Sequence, residues 1–387
     1  MNRFPANEMM SLIGAPPRYN LAESVGPNLQ LAELLDESDR QSLFDMSLGY
    51  GTAAGDPRLR KSIADFHDVG PDDVVVTVGG MHALFLLAFV LCERGDEVVT
   101  TTPLFPVTRN TLLAVGASVS NLPLTFEQRY QPNLAEFRAR LSAKTKLVSL
   151  ASPQNPSGVA IPLATLRELL ALMGKICPDA YLLVDETFRE ATYGDDPVAT
   201  SAITLGPKVI SIASLSKCHG APGLRLGWVI TQDPVLREHL LIGKFNTVLS
   251  CSPLNEAVGL KVLQRRDLIL GERRRHLADA LQKTAQWVQE NSAFVEWVRP
   301  DAGALCCMRL VPSIFDDSAV RRFFEALTAQ GVRVGHGAWF GDEARVFRVG
   351  FGNPAVRDFL TGLGHVASAL KASGTQEARP ADSVNHV

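Results

Sequence analysis

The sequence predicts an α/β fold: a mostly parallel central sheet flanked by helices, followed by a smaller α+β unit. Three observations carry this. Short runs of Val, Ile and Leu alternate with longer segments of helical spacing over most of the chain. The runs are apolar at consecutive positions, the pattern of strands covered on both faces. Residues capable of chemistry follow the C-terminal ends of these runs, where open α/β sheets bind ligands.

The bulk numbers agree. A chain of 387 residues accommodates two domains, and 46% hydrophobic with 20% charged residues is a globular composition. A net charge of −3 without a basic run gives no reason to expect nucleic-acid or membrane binding. Met1 to Glu8 lacks the apolar core of a signal peptide, and the longest apolar run, Ala83 to Cys92, is about half a membrane span, so the expected location is the cytoplasm. Six cysteines at 92, 177, 218, 251, 306 and 307 form no C-x-x-C pair and read as buried small side chains. Cys218, beside Lys217, is the one that could reach a site.

In chain order, residues 1–45 read as an irregular segment that wraps onto a neighbouring surface, with turns at Pro16-Pro17 and Gly26-Pro27 and a short helix from Leu29 to Leu35. Gly51 and Gly55-Asp56-Pro57 form a loop before a helix from Leu59 to Phe66. Val74 to Val78 is a β-branched strand that breaks at Gly79-Gly80 into an apolar helix, Met81 to Cys92. A strand, a glycine pair and a helix start cradle an anion well, because the backbone can approach it and the first N–H groups are free. The same pattern also serves as an ordinary turn. A turn plus strand over Gly95 to Thr100 leads into Pro103-Leu104-Phe105-Pro106, a helix from Arg109 to Val115 and a strand from Ala117 to Leu122. Lys146 to Ala151 runs into Ser152-Pro153-Gln154-Asn155-Pro156-Ser157-Gly158. Leucine spacing makes Leu163 to Lys175 a helix, and Tyr181 to Val184 is a strand ending on Asp185-Glu186.

Val209 to Ala213 then leads to Ser214-Leu215-Ser216-Lys217, and Arg225 precedes a last apolar run, Leu226 to Ile230. Helices follow over Val235 to Ile242, Leu254 to Gln264 and Leu268 to Glu290. The last bridges to strands near Phe294 to Trp297, Leu305 to Leu310, Val332 to Val334 and Arg345 to Val349. The expected division is a large domain over 46–280, a small one over 281–371 and a disordered tail over 372–387.

A lysine closing a buried strand is easily desolvated, which lowers its pKa and frees the amine as a nucleophile. By itself, a Ser-x-x-Lys is commonly a surface turn. Here the hydroxyls and Arg225 suggest an anion beside it, and together they suit a phosphate-bearing aldehyde, pyridoxal 5′-phosphate. Each further need of that cofactor has a candidate. Asp185 suits the pyridine nitrogen and Asn155 the ring hydroxyl. The phosphate would take the Gly80 and Met81 backbone, Ser214, Ser216 and Arg225, with Phe105 stacked on the ring.

Seven pieces, spread in order over roughly residues 45–365, resemble the class I/II aminotransferases of the fold type I pyridoxal-phosphate superfamily. They are Tyr50 with Gly55-Asp56-Pro57-Arg58-Leu59-Arg60; Thr77 to Leu84; Gly95-Asp96-Glu97-Val98 with Pro103-Leu104-Phe105; Asn155-Pro156-Ser157-Gly158; Asp185-Glu186-Thr187-Phe188; Ser214 to Gly227; and Phe347-Arg348-Val349-Gly350-Phe351. The resemblance implies a sheet of about seven strands. It makes Lys217 the Schiff-base lysine, Asp185 the pyridine partner and Arg348 the partner of the substrate α-carboxylate. It also implies that Tyr50 reaches the phosphate of a neighbouring subunit, hence a homodimer with shared active sites, the first 45 residues packing on the small domain and the dimer partner.

The implied activity is amino transfer between an L-amino acid and a 2-oxo acid. Elimination, replacement or cyclisation from the same lysine is the alternative. Three positions depart from the family pattern: Phe188 stands in place of a tyrosine that hydrogen-bonds the ring hydroxyl, Ser24 in place of a glycine, and Phe105 in place of a larger aromatic residue. Glu23 and Ser24 could line the pocket and favour a cationic or polar substrate. Two other classes fit poorly. The residues before Tyr50 are too few for the DNA-binding domain of a pyridoxal-phosphate regulator, and Gly79-Gly80 lacks the spaced third glycine of a nicotinamide fingerprint.

Overall fold

Runs without a polar face are stable only when covered on both sides. In the computed structural model, which describes residues 3–12 and 14–374, they form the centre of the molecule. Strands β1 (Val74–Thr77), β2 (Glu97–Thr102), β3 (Ser118–Pro123), β4 (Thr145–Ala151), β5 (Tyr181–Asp185), β6 (Val209–Ser214) and β7 (Gly227–Thr231) make one seven-stranded sheet. Its order is β1-β7-β6-β5-β4-β2-β3. Pairing is parallel from β3 through β6, while β7 runs antiparallel to both β6 and β1. Every residue of β1, β6 and β7 is buried, whereas the edge strand β3 is largely accessible. The expected α/β architecture is therefore present, with helices on both faces.

A second sheet, wholly antiparallel, contains β8 (Val295–Val298), β9 (Leu305–Leu310), β10 (Gly335–His336) and β11 (Val346–Gly350) in the order β10-β11-β9-β8. The two sheets share a core: Val99, Val148 and Val184 of the first pack in one cluster with Val298, Cys307 and Val346 of the second. A 25-residue helix (Arg266–Glu290) spans both, with Ile269 in a cluster of the large sheet and Leu277 and Leu281 in that of the small one.

Several elements differ from expectation. Residues 1–45 contain a second helix, Glu37–Phe44, started by a reciprocal capping box between Asp36 and Asp39. Helices over Leu134–Arg140 and Asp317–Ala329, begun by Asn133 and Asp316 caps, are additional to the sequence reading. Val332–Arg333 does not join the small sheet; it pairs in parallel with Tyr19–Asn20, an extended partner far away in sequence, and Gly335–His336 takes the sheet position instead. The last helix, Val356–Ser373, continues past the expected boundary at 372, and the rest of that tail lies outside the described residues. All six cysteines are buried and free. Among the described residues no helix is long and apolar enough to cross a membrane.

Candidate active site

The carboxyl ends of β4, β5 and β6 open onto a cavity of about 290 Å³. Met9, Leu12, Glu23 and Ser24 of the N-terminal segment and Arg348 of β11 also line it. The structure brings thirteen of the predicted site residues to its wall: Glu23, Ser24, Gly80, Met81, Phe105, Asn155, Asp185, Phe188, Ser214, Ser216, Lys217, Arg225 and Arg348. Tyr50 is not among them; it is 88% exposed on the outer surface.

One end of the cavity is built for an anion. The helix α1 (Gly79–Leu91) starts after Val78 without a side-chain cap, whereas the helices at Pro57, Pro234 and Pro253 are capped by Asp56, Asp233 and Ser252. The first N–H groups of α1 are thus left for a ligand. Gly79 has φ +73°, and a Cβ there would sit 2.4 Å from Arg225 Nη2, so only glycine admits the guanidinium at this helix start. Arg225 is itself in the left-handed region, φ +49°, with Nη1 donating to the Pro222 carbonyl at 2.9 Å. Ser214 Oγ, at the end of β6, accepts from the Ser216 N–H at 3.3 Å.

The middle holds the reactive pair. Lys217 Nζ donates to Ser24 Oγ at 3.2 Å. Desolvation, followed by the nearby Arg348 charge, lowers its pKa to about 8, against an opposing pull from Glu23. Asp185 Oδ1 accepts from the Thr187 N–H at 3.0 Å, and burial raises the pKa of this carboxyl. Phe188 is buried against Gly303, where a Cβ would meet its ring at 3.3 Å. Cys218 does not reach this cavity: its thiol donates to the Thr187 carbonyl at 3.1 Å, and burial pushes it up to about 12, so it is a neutral strut.

The third region is organised by Arg348 on β11, which is only 1% exposed. Nη1 donates to Asn155 Oδ1 at 2.7 Å, Nη2 donates to the Ala22 carbonyl, and Nε is buried without a hydrogen-bond partner. The guanidinium lies 4.7 Å from the Phe340 ring centroid, and desolvation lowers its pKa to about 10. A buried cation with an unsatisfied donor is costly unless an anion completes it.

These groups fit pyridoxal phosphate: an uncapped helix start with Arg225, a buried carboxyl hydrogen-bonded by Thr187, and a desolvated amine in the same cavity. A model of the aminotransferase class I and II family matches residues 18–358. The chain belongs to that family. It is 33% identical over 306 residues to capreomycidine synthase of Streptomyces vinaceus, a match spanning 79% of this chain and 76% of that one. Over 218 residues it is 35% identical to valine–pyruvate aminotransferase of Mycobacterium tuberculosis, spanning 54% of each. A solved structure of a PLP-dependent aminotransferase from Streptococcus suis superposes with a TM-score of 0.88 at 23% identity, covering 97% of this chain and 100% of that one, which bears on the fold. As a class I and II family member, the protein is a pyridoxal-phosphate-dependent enzyme.

Some cavity residues escaped sequence reasoning. Thr100 and Thr101 line it because β2 continues to Thr102, beyond the apolar run. Met9 and Leu12 arrive from the irregular N-terminal segment, where no periodicity marks them. The Thr187 N–H and the Ala22 carbonyl are backbone groups and carry no residue signature.

Proposed function

We propose that the protein is an aminotransferase that moves an amino group between an L-amino acid and a 2-oxo acid. The observation that carries this reading is the desolvated Lys217 amine, in one cavity with Asp185 and with Arg348, whose Nε is unsatisfied. When bound, pyridoxal phosphate supplies an electrophilic carbonyl carbon and a ring that withdraws electrons from the substrate Cα. Ser214, Arg225 and the N–H groups of Gly80 and Met81 hold its phosphate. Asp185 would keep the pyridine nitrogen protonated, Asn155 would serve the ring oxygen and Phe105 would stack on the ring. Arg348 receives the substrate α-carboxylate in its planar fork and thereby orients the Cα–H bond. Neutral Lys217 Nζ then takes the Cα proton as general base and releases it again as general acid, with Ser24 Oγ positioning the amine between transfers. A homodimer completes the sites, Tyr50 crossing to its neighbour from a surface on which Phe44 is 85% and Leu48 84% exposed.

A second reading keeps every residue role up to removal of the Cα proton and ends in replacement or cyclisation on the substrate side chain. Two observations favour it: Phe188 brings no hydroxyl to the ring, and the 33% identical relative that matches 79% of the chain is named as a synthase. A half-reaction separates the two. The loaded enzyme is mixed with single amino acids, and the bound cofactor and products are identified by mass spectrometry. Amino transfer yields the amine form of the cofactor and one equivalent of 2-oxo acid. Turnover without either product assigns the second reading.

A further inference from the structure

The cavity wall carries five charged side chains: Glu23, Asp185, Lys217, Arg225 and Arg348. On the reading above, on which this inference rests, four of them are engaged by the cofactor and by the amino and carboxylate groups common to all α-amino acids. Glu23 is left over. Among the described residues its carboxylate makes no ion pair or hydrogen bond, although it is only partly exposed and its charge acts on Lys217 and Arg348.

Its position is set by the backbone. The Gly350 N–H donates to the Leu21 carbonyl at 2.7 Å, the Leu21 N–H donates to the Arg333 carbonyl at 2.8 Å, and Arg348 donates to the Ala22 carbonyl. A Cβ on Gly350 would fall 1.6 Å from the Glu23 carbonyl oxygen, so the segment crosses the end of β11 in direct contact with it. Ser24, the next residue, holds Lys217. The Glu23 side chain therefore leaves a fixed backbone between the α-carboxylate partner and the proton-transferring lysine, at the place a substrate side chain must pass. The lining of the same cavity also includes the apolar side chains of Met9, Leu12, Leu104 and Phe105.

We infer that Glu23 is a specificity-determining residue that selects amino acids carrying a guanidinium or ammonium group on an aliphatic side chain. The apolar wall accommodates the stem, and the carboxylate accepts charge-assisted hydrogen bonds from the head. An acidic side chain meets repulsion there, and a neutral one gains no charge-assisted contact.

The test uses the pyridoxal-phosphate-loaded enzyme, titrated with L-arginine, L-lysine, L-norleucine and L-glutamate while the visible absorbance of the bound cofactor is followed. For the native enzyme, apparent Kd values for arginine or lysine should lie at least ~10-fold below that for norleucine, the gain expected of one charge-assisted contact. In Glu23→Gln that ratio should fall to near one, and Glu23→Asp should retain part of it. The ratio compares ligands on the same protein, so a variant that is merely less well folded leaves it unchanged. A loaded enzyme without cation preference, one whose spectrum no amino acid alters, or a preference that survives Glu23→Gln overturns the inference alone. A protein that never holds a borohydride-reducible cofactor on Lys217 overturns the parent reading, and this one with it.

Discussion

The two ends of the cavity are built in different ways. The proposed cofactor end comes from short, contiguous motifs at strand ends of a single sheet: Gly79-Gly80-Met81 after β1, Asp185 ending β5, and Ser214 to Arg225 after β6. The substrate end is assembled across the chain. Arg348 reaches Asn155 and Ala22, and Lys217 reaches Ser24, contacts that join residues 193, 326 and 193 positions apart. The first end depends on rigid sheet geometry, while the second depends on how the N-terminal segment and the small sheet dock. One can be altered largely independently of the other, which is how a fixed cofactor site can serve different side chains and outcomes.

The strongest way to break the cofactor end is Lys217→Ala. It should abolish the borohydride-reducible cofactor and reduce turnover below detection, measured as cofactor retained after reduction and gel filtration. A variant that still traps reduced cofactor refutes the assignment. The pH dependence sharpens the point. With a pKa lowered to about 8, Lys217 is protonated below that pH and a free amine above it. The rate at which cofactor-free protein captures pyridoxal phosphate should therefore rise with pH and level off above about 8. A midpoint near the ordinary lysine value would mean that the cavity does not desolvate the amine.

At the substrate end, Arg348→Lys retains the charge and loses the planar fork. It should raise KM for the amino acid by roughly 10- to 100-fold, the equivalent of about 1.5–3 kcal/mol for hydrogen bonds to a charged group. Cofactor content should stay near native, because Arg348 lies outside the phosphate cradle. Loss of cofactor in this variant would show that the two ends are not separable.

The same division accounts for what was legible in the sequence. Most of the seven strands could be read because β-branched and leucine-rich runs need burial on both faces; the largely accessible edge strand β3 carries only Val119 and Leu122 of that kind. The residues proposed for the phosphate and ring could be read because each sits within a few residues of the start or end of a strand. The Asp36–Asp39 capping box was equally local, yet its helix, Glu37–Phe44, stands in a segment without an apolar stripe and left no periodic trace. The pairing of Tyr19–Asn20 with Val332–Arg333 joins residues more than three hundred positions apart, and nothing in either stretch names the other. Nor could sequence show that the Glu23 carboxylate lines the cavity without a hydrogen bond or ion pair, since that is a property of everything packed around it.

The smallest expected effect tests one of the positions where the proposed cofactor end departs from the family pattern. Phe188 lines the cavity and offers the ring no hydrogen bond. A phenol in its place would donate to the ring oxygen, which carries negative charge when the bound cofactor is in its unprotonated form. Such a hydrogen bond stabilises that form relative to the protonated one, so its pKa falls. Phe188→Tyr should therefore lower the pH at which the cofactor's visible absorbance changes, by about one unit for a hydrogen bond of about 1.5 kcal/mol. An unchanged midpoint would mean that residue 188 does not face the ring oxygen, and Phe188 would then belong with the substrate end. A downward shift accompanied by faster amino transfer would mark Phe188 as the residue that biases this enzyme away from transfer.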